Sequence, residues 1–158
     1  MTIIGIDPGV ARTGWGVISK HSGGVKMLGY GCLETDSTLE ASVRLLFIFR
    51  EVNRLIEEYK PDIASLEKLF FNSNVTTAMG VGEARGVVML ALARIGIAIE
   101  EFTPLQIKQA VAGYGKASKE QVQKMVKTLL RLKEIPRPDD AADALAAAIT
   151  LSSTVKRL

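Results

Sequence analysis

Ile3-Ile4-Gly5-Ile6-Asp7-Pro8-Gly9, at the N-terminus, decides how the rest of the chain is read. An apolar run of strand length ends on a carboxylate, and Pro8-Gly9 turns the chain before Thr13-Gly14 opens a second strand-like run to Ser19. Glycine in such a turn permits positive φ and close backbone approach. Asp7 therefore either bonds local turn amides or projects from a strand end into a site. Glu67 ends a similar run, Ile63-Ala64-Ser65-Leu66, and Asp140 and Asp143 open the alanine-rich segment that continues to Ile149. A carboxylate in apolar surroundings is costly unless it is paired. The simplest common partner for four of them is a divalent cation, and hard cations such as Mg²⁺ take oxygen ligands. Phosphate chemistry is the reading that follows.

Outward from this motif, the spacing predicts strands over Ile3–Asp7, Gly14–Ser19 and about Val25–Glu34, joined by short turns as an antiparallel meander. The period then changes. Leu45, Phe49, Val52, Leu55 and Ile56 recur at helical spacing, which predicts a helix over about 39–60, stopped by Pro61. A short buried strand spans Asp62–Glu67. Asn72-Ser73-Asn74 supplies N-cap candidates for a helix over about 75–95. Gly96 ends that helix and Ile97–Phe102 forms a fifth strand. Pro104 starts a short helix to about Ala112, Ser118 caps a basic helix to about Lys133, and Pro138 sits in the first turn of a last helix to about Thr154. The order βββαβαβααα predicts an α/β fold with a five-stranded mixed sheet, antiparallel first and then parallel, flanked by helices. Sites in such sheets form beyond strand C-terminal ends. With the first and fourth strands as neighbours, about 4.8 Å apart, Asp7 and Glu67 can share a metal ion.

The 158 residues fit one domain spanning 1–158, with room for a real core. At 47% hydrophobic and 23% charged, the composition is that of a folded soluble chain rather than a disordered one. Cys32 is the single cysteine, so no intrachain disulfide forms and a reducing compartment is expected. The chain opens directly on a strand-like run, which argues against a signal peptide. Its most apolar stretch, Gly86–Ile99, contains Arg94 and is too short to span a bilayer. A cytoplasmic protein with no membrane partner is expected. The net charge of +3 is unevenly spread: residues 105–138 carry eight basic side chains, among them Lys108, Lys116 and Lys119, against Glu120 and Glu134. A basic surface beside an acidic pocket suits a polyanion that must reach metal ions, although a solvated helix face explains the charge run equally simply.

Asp140 and Asp143 lie on one face of the last helix, where their mutual repulsion is offset by the helix N-terminus. Capping accounts for Asp139 but not for Asp143, which is too far into the helix, and the register of Asp139 and Asp140 could be exchanged. Phe70 and Phe71, just after Glu67, either pack in the core or stack on unpaired bases. Gly82 and Gly86 lie within a predicted helix, where glycine costs about 1 kcal/mol relative to alanine. A close helix–helix or subunit contact explains that cost, and so does packing on the sheet. One histidine in a turn, His21, and one cysteine give neither a zinc cluster nor a Ser-His-Asp set.

Taken together, Ile4-Gly5-Ile6-Asp7-Pro8-Gly9 with Thr13-Gly14, Glu67 before Phe70, Gly82-Glu83-Ala84-Arg85-Gly86, Lys108-Gln109, Lys119-Glu120-Gln121-Val122 and Asp140-Ala141-Ala142-Asp143-Ala144-Leu145-Ala146 resemble the RuvC family of Holliday-junction resolvases, within the ribonuclease-H-like superfamily. The resemblance covers nearly the whole chain. It implies a metal-dependent endonuclease that nicks four-way DNA junctions symmetrically in recombination and repair and leaves 5′-phosphate ends. It implies two Mg²⁺ per subunit, with Mn²⁺ as a substitute, held by Asp7, Glu67, Asp140 and Asp143. It implies base contacts from Phe70, junction binding or cleavage support from Lys108 and Lys119, and a homodimer built on the helix bearing Gly82 and Gly86. RuvA and RuvB branch-migration proteins are the implied partners. Phe71 is a departure, a second ring beside the expected one. Lys116, in the loop Gly113-Tyr114-Gly115-Lys116, joins the DNA-binding candidates as part of the basic segment. An ATP-binding domain of the actin or sugar-kinase type, whose first strand carries a similar motif, and a non-catalytic junction-binding protein are the alternatives. The first lacks a second phosphate loop here, and the second leaves the carboxylates repelling DNA.

Overall fold

The computed structural model describes residues 1–68 and 75–155, with the side chains of 75–77 left aside. Strands β1 (Thr2–Asp7), β2 (Arg12–His21) and β3 (Gly24–Glu34) form the antiparallel meander. Helix α1 (Ala41–Tyr59) leads to β4 (Ile63–Glu67), and helix α2 (Val75–Ala93) leads to β5 (Ala98–Phe102). Helices α3 (Pro104–Ala112), α4 (Lys119–Leu129) and α5 (Asp139–Thr154) complete the chain. The sheet order is β3-β2-β1-β4-β5. β1 pairs antiparallel with β2 and parallel with β4, and β4 pairs parallel with β5. The expected mixed sheet and the expected β1–β4 adjacency are both present.

Strand alternation divides the apolar residues between two cores. Ile4 and Ile6 of β1 pack with Ile48, Val52 and Leu55 of α1 and with Ala84, Val88 and Leu92 of α2. Ile3 faces the other way, into a cluster with Leu145 and Ala148 of α5, Ile107 of α3 and Val126 of α4. Residues 3, 5 and 7 of β1 share a face, so Gly5 and Asp7 are on the α5 side. On β4, Ser65 is on that side too, because its Oγ donates a 2.8 Å hydrogen bond to the carbonyl of Ala147. Glu67 follows it by the same period of two.

Helix α5 lies directly on the sheet because glycine and alanine let it. A Cβ added at Gly5 would stand 2.0 Å from the Ala144 carbonyl oxygen, and one at Gly14 would stand 2.0 Å from that of Asp140. A Cβ at Gly16 would meet the Leu145 side chain at 2.6 Å. The far end of the helix is tied as well. The Lys20 ammonium donates to the carbonyls of Ser152 and Val155, each at 2.6 Å, and a cation there suits the negative helix terminus.

Local signals set the remaining ends. Thr103 with Gln106 and Ser118 with Gln121 form reciprocal capping boxes that start α3 and α4. Lys60 closes α1 in the left-handed conformation, immediately before Pro61. Two expectations shift. Helix α4 ends at Leu129, short of Lys133, as Arg131 takes a left-handed φ of 53°. Pro138 stands at the N-cap of α5, one position before its first turn. Asn72-Ser73-Asn74 lies outside the described residues.

Gly5→Ala should lower the urea midpoint by the equivalent of about 1–3 kcal/mol, the usual cost of overpacking against an unyielding neighbour. Gly86→Ala, where an added Cβ meets nothing within 4 Å, should leave the subunit's stability within about 1 kcal/mol. Urea unfolding followed by circular dichroism checks both.

Candidate active site

Four carboxylates reach one end of the sheet from two directions. Asp7 and Glu67 close β1 and β4 at their C-terminal ends, on the α5 side. Asp140 and Asp143 come from the first turns of α5 and are placed by that helix's contact with the strands. Asp140 stands beside Asp7, because its backbone rests on Gly14 and Gly14 pairs with Asp7 in the β1–β2 register. Asp143, one turn above Ala147, stands toward β4, since Ala147 receives the Ser65 bond. Asp143 thus stands between the two strand ends, and Asp140 lies to the β2 side of Asp7.

The electrostatics make Asp143 the acidic neighbour that both strand-end carboxylates feel most. Burial raises the pKa of Asp7 to about 7, with Asp143, Glu67 and Asp140 adding repulsion in that order and Lys119 opposing them. Burial also raises Glu67, helped by Asp143 and opposed by Lys119 and Lys108. Asp143 is raised by burial despite its bond to Lys119. Asp7, Glu67 and Asp143 are buried near other carboxylates, and so these three resist ionisation.

The four looked unpaired by cations in the sequence, yet the structure supplies one. Lys119, the first residue of α4, places its Nζ 3.0 Å from Asp143 and 3.7 Å from Asp139. Burial opposes its charge, but the hydrogen bond to Asp143 and the nearby carboxylates outweigh that and raise its pKa. Asp139 is otherwise turned outward. Arg137 bonds its carboxylate and Gln123 donates to it, and its pKa is lowered against the opposing effect of burial. Asp139 is thus engaged by Lys119 and Arg137, while Asp140 adds the smallest of the repulsions that Asp7 receives from its acidic neighbours.

A cleft of about 240 Å³ opens on this end of the sheet, lined by Glu67, Asp143, Lys108 and Lys119 with Pro104 and Ile107. Acid and base share one wall. Lys116 is exposed and lines a separate apolar groove with Leu105 and Thr150. It is not part of the acidic cleft. Phe70 and Phe71 lie outside the described residues. Among the described residues, added Cβ atoms at Gly82 and Gly86 meet nothing within 4 Å, so these glycines do not serve packing on the sheet. Met79 and Leu90 are exposed on the same helix, at 64% and 61%.

A family model described as crossover junction endodeoxyribonuclease RuvC matches residues 3–151. The chain belongs to the RuvC family. A RuvC relative from Brevibacillus brevis, named crossover junction endodeoxyribonuclease, is 53% identical over 150 residues, covering 95% of this chain and 90% of the relative. One from Roseiflexus is 55% identical over 146 residues, covering 92% and 87%. The RuvC structure from Thermus thermophilus superposes with a TM-score of 0.87 at 37% identity, covering 95% of this chain and 92% of that one. The T. thermophilus protein in complex with a Holliday junction substrate superposes equally well, with a TM-score of 0.87 at 34% identity and coverage of 95% and 92%. The yeast mitochondrial Holliday junction resolvase Ydc2 shares the fold, with a TM-score of 0.70 at 14% identity. The ribonuclease-H-like architecture expected from the sequence is the one observed.

RuvC proteins are divalent-metal-dependent nucleases. The donor set here suits a hard cation: it is all oxygen, and its repulsion is of the kind that a divalent charge relieves. Among the described residues no three His, Cys, Asp or Glu side chains are gathered tightly enough to hold an ion already. Sequence reasoning missed one residue at this end of the sheet, Arg85 of α2, whose Nη1 donates a 2.9 Å hydrogen bond to the Glu67 carbonyl.

The Asp7 shift has a pH consequence. Between its ordinary value of 3.8 and about 7, the unfolded chain has lost a proton that the folded protein keeps, so stability falls as pH rises through this window. In chelator, the melting temperature should drop from pH 4 toward pH 7, and Asp7→Asn should flatten the drop and raise the midpoint at neutral pH. Mg²⁺ added near pH 7 should release protons, read by calorimetry in two buffers of different ionisation enthalpy.

Proposed function

We propose that residues 1–158 act as one nuclease domain that resolves four-way DNA junctions by metal-dependent hydrolysis, nicking opposing strands symmetrically and leaving 5′-phosphate ends. The observation that carries this reading is the meeting of Asp7 and Glu67, on adjacent parallel strand ends, with Asp143 and Lys119 from the helices above them. Membership of the RuvC family, and the likeness to a relative solved with a Holliday junction, supply the substrate class.

Asp7, Glu67, Asp140 and Asp143 would hold two Mg²⁺ ions per subunit, with Mn²⁺ as a substitute. The chemistry supplied by bound ions would be activation of a water nucleophile and stabilisation of the leaving oxygen's charge. The chain's own residues do the rest. The carboxylates, fixed to one face of the sheet, define where the scissile phosphate must lie. Lys119 keeps its charge through the neutral range and can neutralise either Asp143 or a phosphate oxygen. Lys108 extends positive charge along the cleft wall. Lys116 and the basic residues of α4 would hold the junction arms by their backbones, with little sequence preference. Phe70 or Phe71, next to Glu67 in the chain, would stack on bases left unpaired at the crossover, each stack worth about 1–3 kcal/mol.

Symmetric nicking needs two sites. The outward face of α2, with Met79, Gly82, Gly86 and Leu90, is the surface on which a second subunit would sit, its glycines admitting a close helix–helix approach. A two-fold axis there would present one site to each of two opposing strands. The proposed setting is cytoplasmic recombination and repair alongside RuvA and RuvB. Among the described residues no helix is long and apolar enough to cross a membrane.

Asp7→Asn and Asp143→Asn should each reduce cleavage of a synthetic four-way junction in Mg²⁺ by more than about a hundredfold, the scale of losing a group that stabilises developing charge. Both should still bind the junction. Normal cleavage by Asp7→Asn would sink the proposal. Lys108→Ala and Lys116→Ala should each lower the slope of log affinity against log salt by about one. Gly86→Leu should yield monomers in sedimentation, because its side chain has room within its own subunit.

A further inference from the structure

Arg85 lies on α2 with its side chain only 12% exposed, and its guanidinium bridges two strands. Nη1 donates a 2.9 Å hydrogen bond to the carbonyl oxygen of Glu67, the last residue of β4. The Nη2 edge forms an ion pair with the Glu101 carboxylate on β5. Glu101 pairs with Leu66 in the sheet register and Glu67 with Phe102, so the two acceptors belong to adjoining rungs of one ladder. Among the described residues the ladder adds one further bond beyond them, from the Lys68 amide to the Phe102 carbonyl at 2.8 Å. Glu67 thus stands where regular strand pairing is about to stop.

The three other carboxylates are placed by the contact between α5 and the sheet. Glu67 has no glycine beneath a helix backbone to fix it. Its main chain is held from the opposite face of the sheet, where α2 packs. A guanidinium is planar and presents paired donors, so it can grip a carbonyl and a carboxylate together, whereas a lysine ammonium offers a single point of charge. Burying it without such partners would be costly.

We propose that Arg85 is a positioning residue for the metal site: it clamps the ends of β4 and β5 and so sets the direction in which the Glu67 carboxylate leaves the sheet. The proposal rests on the reading of Glu67 as a metal ligand. Arg85 also connects that ligand to the helix that carries Gly82 and Gly86. Its neighbour Gly86 faces outward while Arg85 faces the strand ends.

The test uses the full chain with Arg85→Lys, Arg85→Gln, Glu101→Gln and, as reference, Glu67→Gln. Mn²⁺ binding without DNA is read by electron paramagnetic resonance of the free ion. Single-turnover junction cleavage is measured against Mg²⁺ concentration, with junction binding in chelator and melting temperature alongside. Arg85→Lys should melt within a few degrees of the parent and bind junctions within twofold. Its Mn²⁺ affinity should fall at least fivefold, and its cleavage rate at least tenfold at low Mg²⁺, with partial recovery at high Mg²⁺. Glu101→Gln should show the same pattern to a smaller extent. If Arg85→Gln fails to fold, Arg85→Lys and Glu101→Gln carry the test between them. Unchanged Mn²⁺ affinity and Mg²⁺ dependence in both, while Glu67→Gln loses metal and cleavage, would overturn the positioning role alone. Full cleavage and normal Mn²⁺ binding by Glu67→Gln would instead overturn the reading beneath it.

Discussion

Helix α5 touches the sheet backbone to backbone, and the acidic end of the molecule depends on that contact. The 2.0 Å separations between absent Cβ positions at Gly5 and Gly14 and the carbonyls of Ala144 and Asp140 leave no space for any side chain. Alanines on the helix and glycines on the strands bring the axis of α5 closer to β1 and β2 than ordinary core residues would allow. Only at that distance do the first-turn carboxylates of a helix come level with the last residues of two strands. The Ser65 bond to Ala147 and the Lys20 bonds at the helix C-terminus then prevent the helix from sliding along the strands. Hydrophobic burial alone would be indifferent to a slide of one turn, since alanine repeats along α5. Directional hydrogen bonds are not, and so they set the register of Asp140 and Asp143 against Asp7 and Glu67.

Bringing four carboxylates together opposes folding, and the protein meets this in several ways. The N-terminus of α5 favours negative charge by about 0.3–1 kcal/mol per group. Burial and its acidic neighbours raise the pKa of Asp7 to about 7, which lessens the charge it contributes at neutral pH. Lys119 supplies a positive charge from α4, set at the start of that helix by the Ser118–Gln121 capping box. An ammonium is a weaker neutraliser than a divalent ion and shares its charge with Asp139. The arrangement leaves the carboxylates available rather than locked in a full set of salt bridges. A site built to exchange metal and phosphate needs that incomplete neutralisation, and a fully compensated cluster would bind neither well.

How far the sequence revealed this depends on the range of the interaction involved. The strand-end carboxylates were legible because they interrupt apolar runs whose period of two also sets which face each residue takes. The caps of α3 and α4 were legible because Thr103 and Ser118 each act over a single turn. The end of α4 was not, since Val122, Val126 and Leu130 keep helical spacing up to the point where the chain turns at Arg131. The glycines of β1 and β2 read as turn residues permitting positive φ and close backbone approach. Their role as a bed for α5 appears only when a distant helix is laid on them. The pairing of Lys119 with Asp143 and the clamp of Arg85 on Glu67 were hidden for the same reason, because each joins elements that the fold alone makes neighbours. Family resemblance pointed to Lys119 but could not say which carboxylate it meets.

Helix α2 has contacts on one side and an open apolar face on the other. Ala84, Val88 and Leu92 are buried against the sheet, Met79 and Leu90 stand in solvent, and Arg85 reaches round to the strand ends. The proposed subunit contact and the Glu67 clamp therefore share one rigid rod. A helix anchored by only one face can tilt or rotate slightly in its groove, and any such motion would reach the Glu67 carbonyl through the Arg85 guanidinium. Seating a second subunit on the open face would remove that freedom. In the proposed arrangement a second subunit would do more than place two cleavage sites on one junction: it would stiffen the support of Glu67, which α5 holds only through the Ser65 bond to Ala147. An enzyme that must cut two strands in concert gains from having each site completed only when its partner is present, since an isolated subunit would then be poorly able to make an unmatched nick.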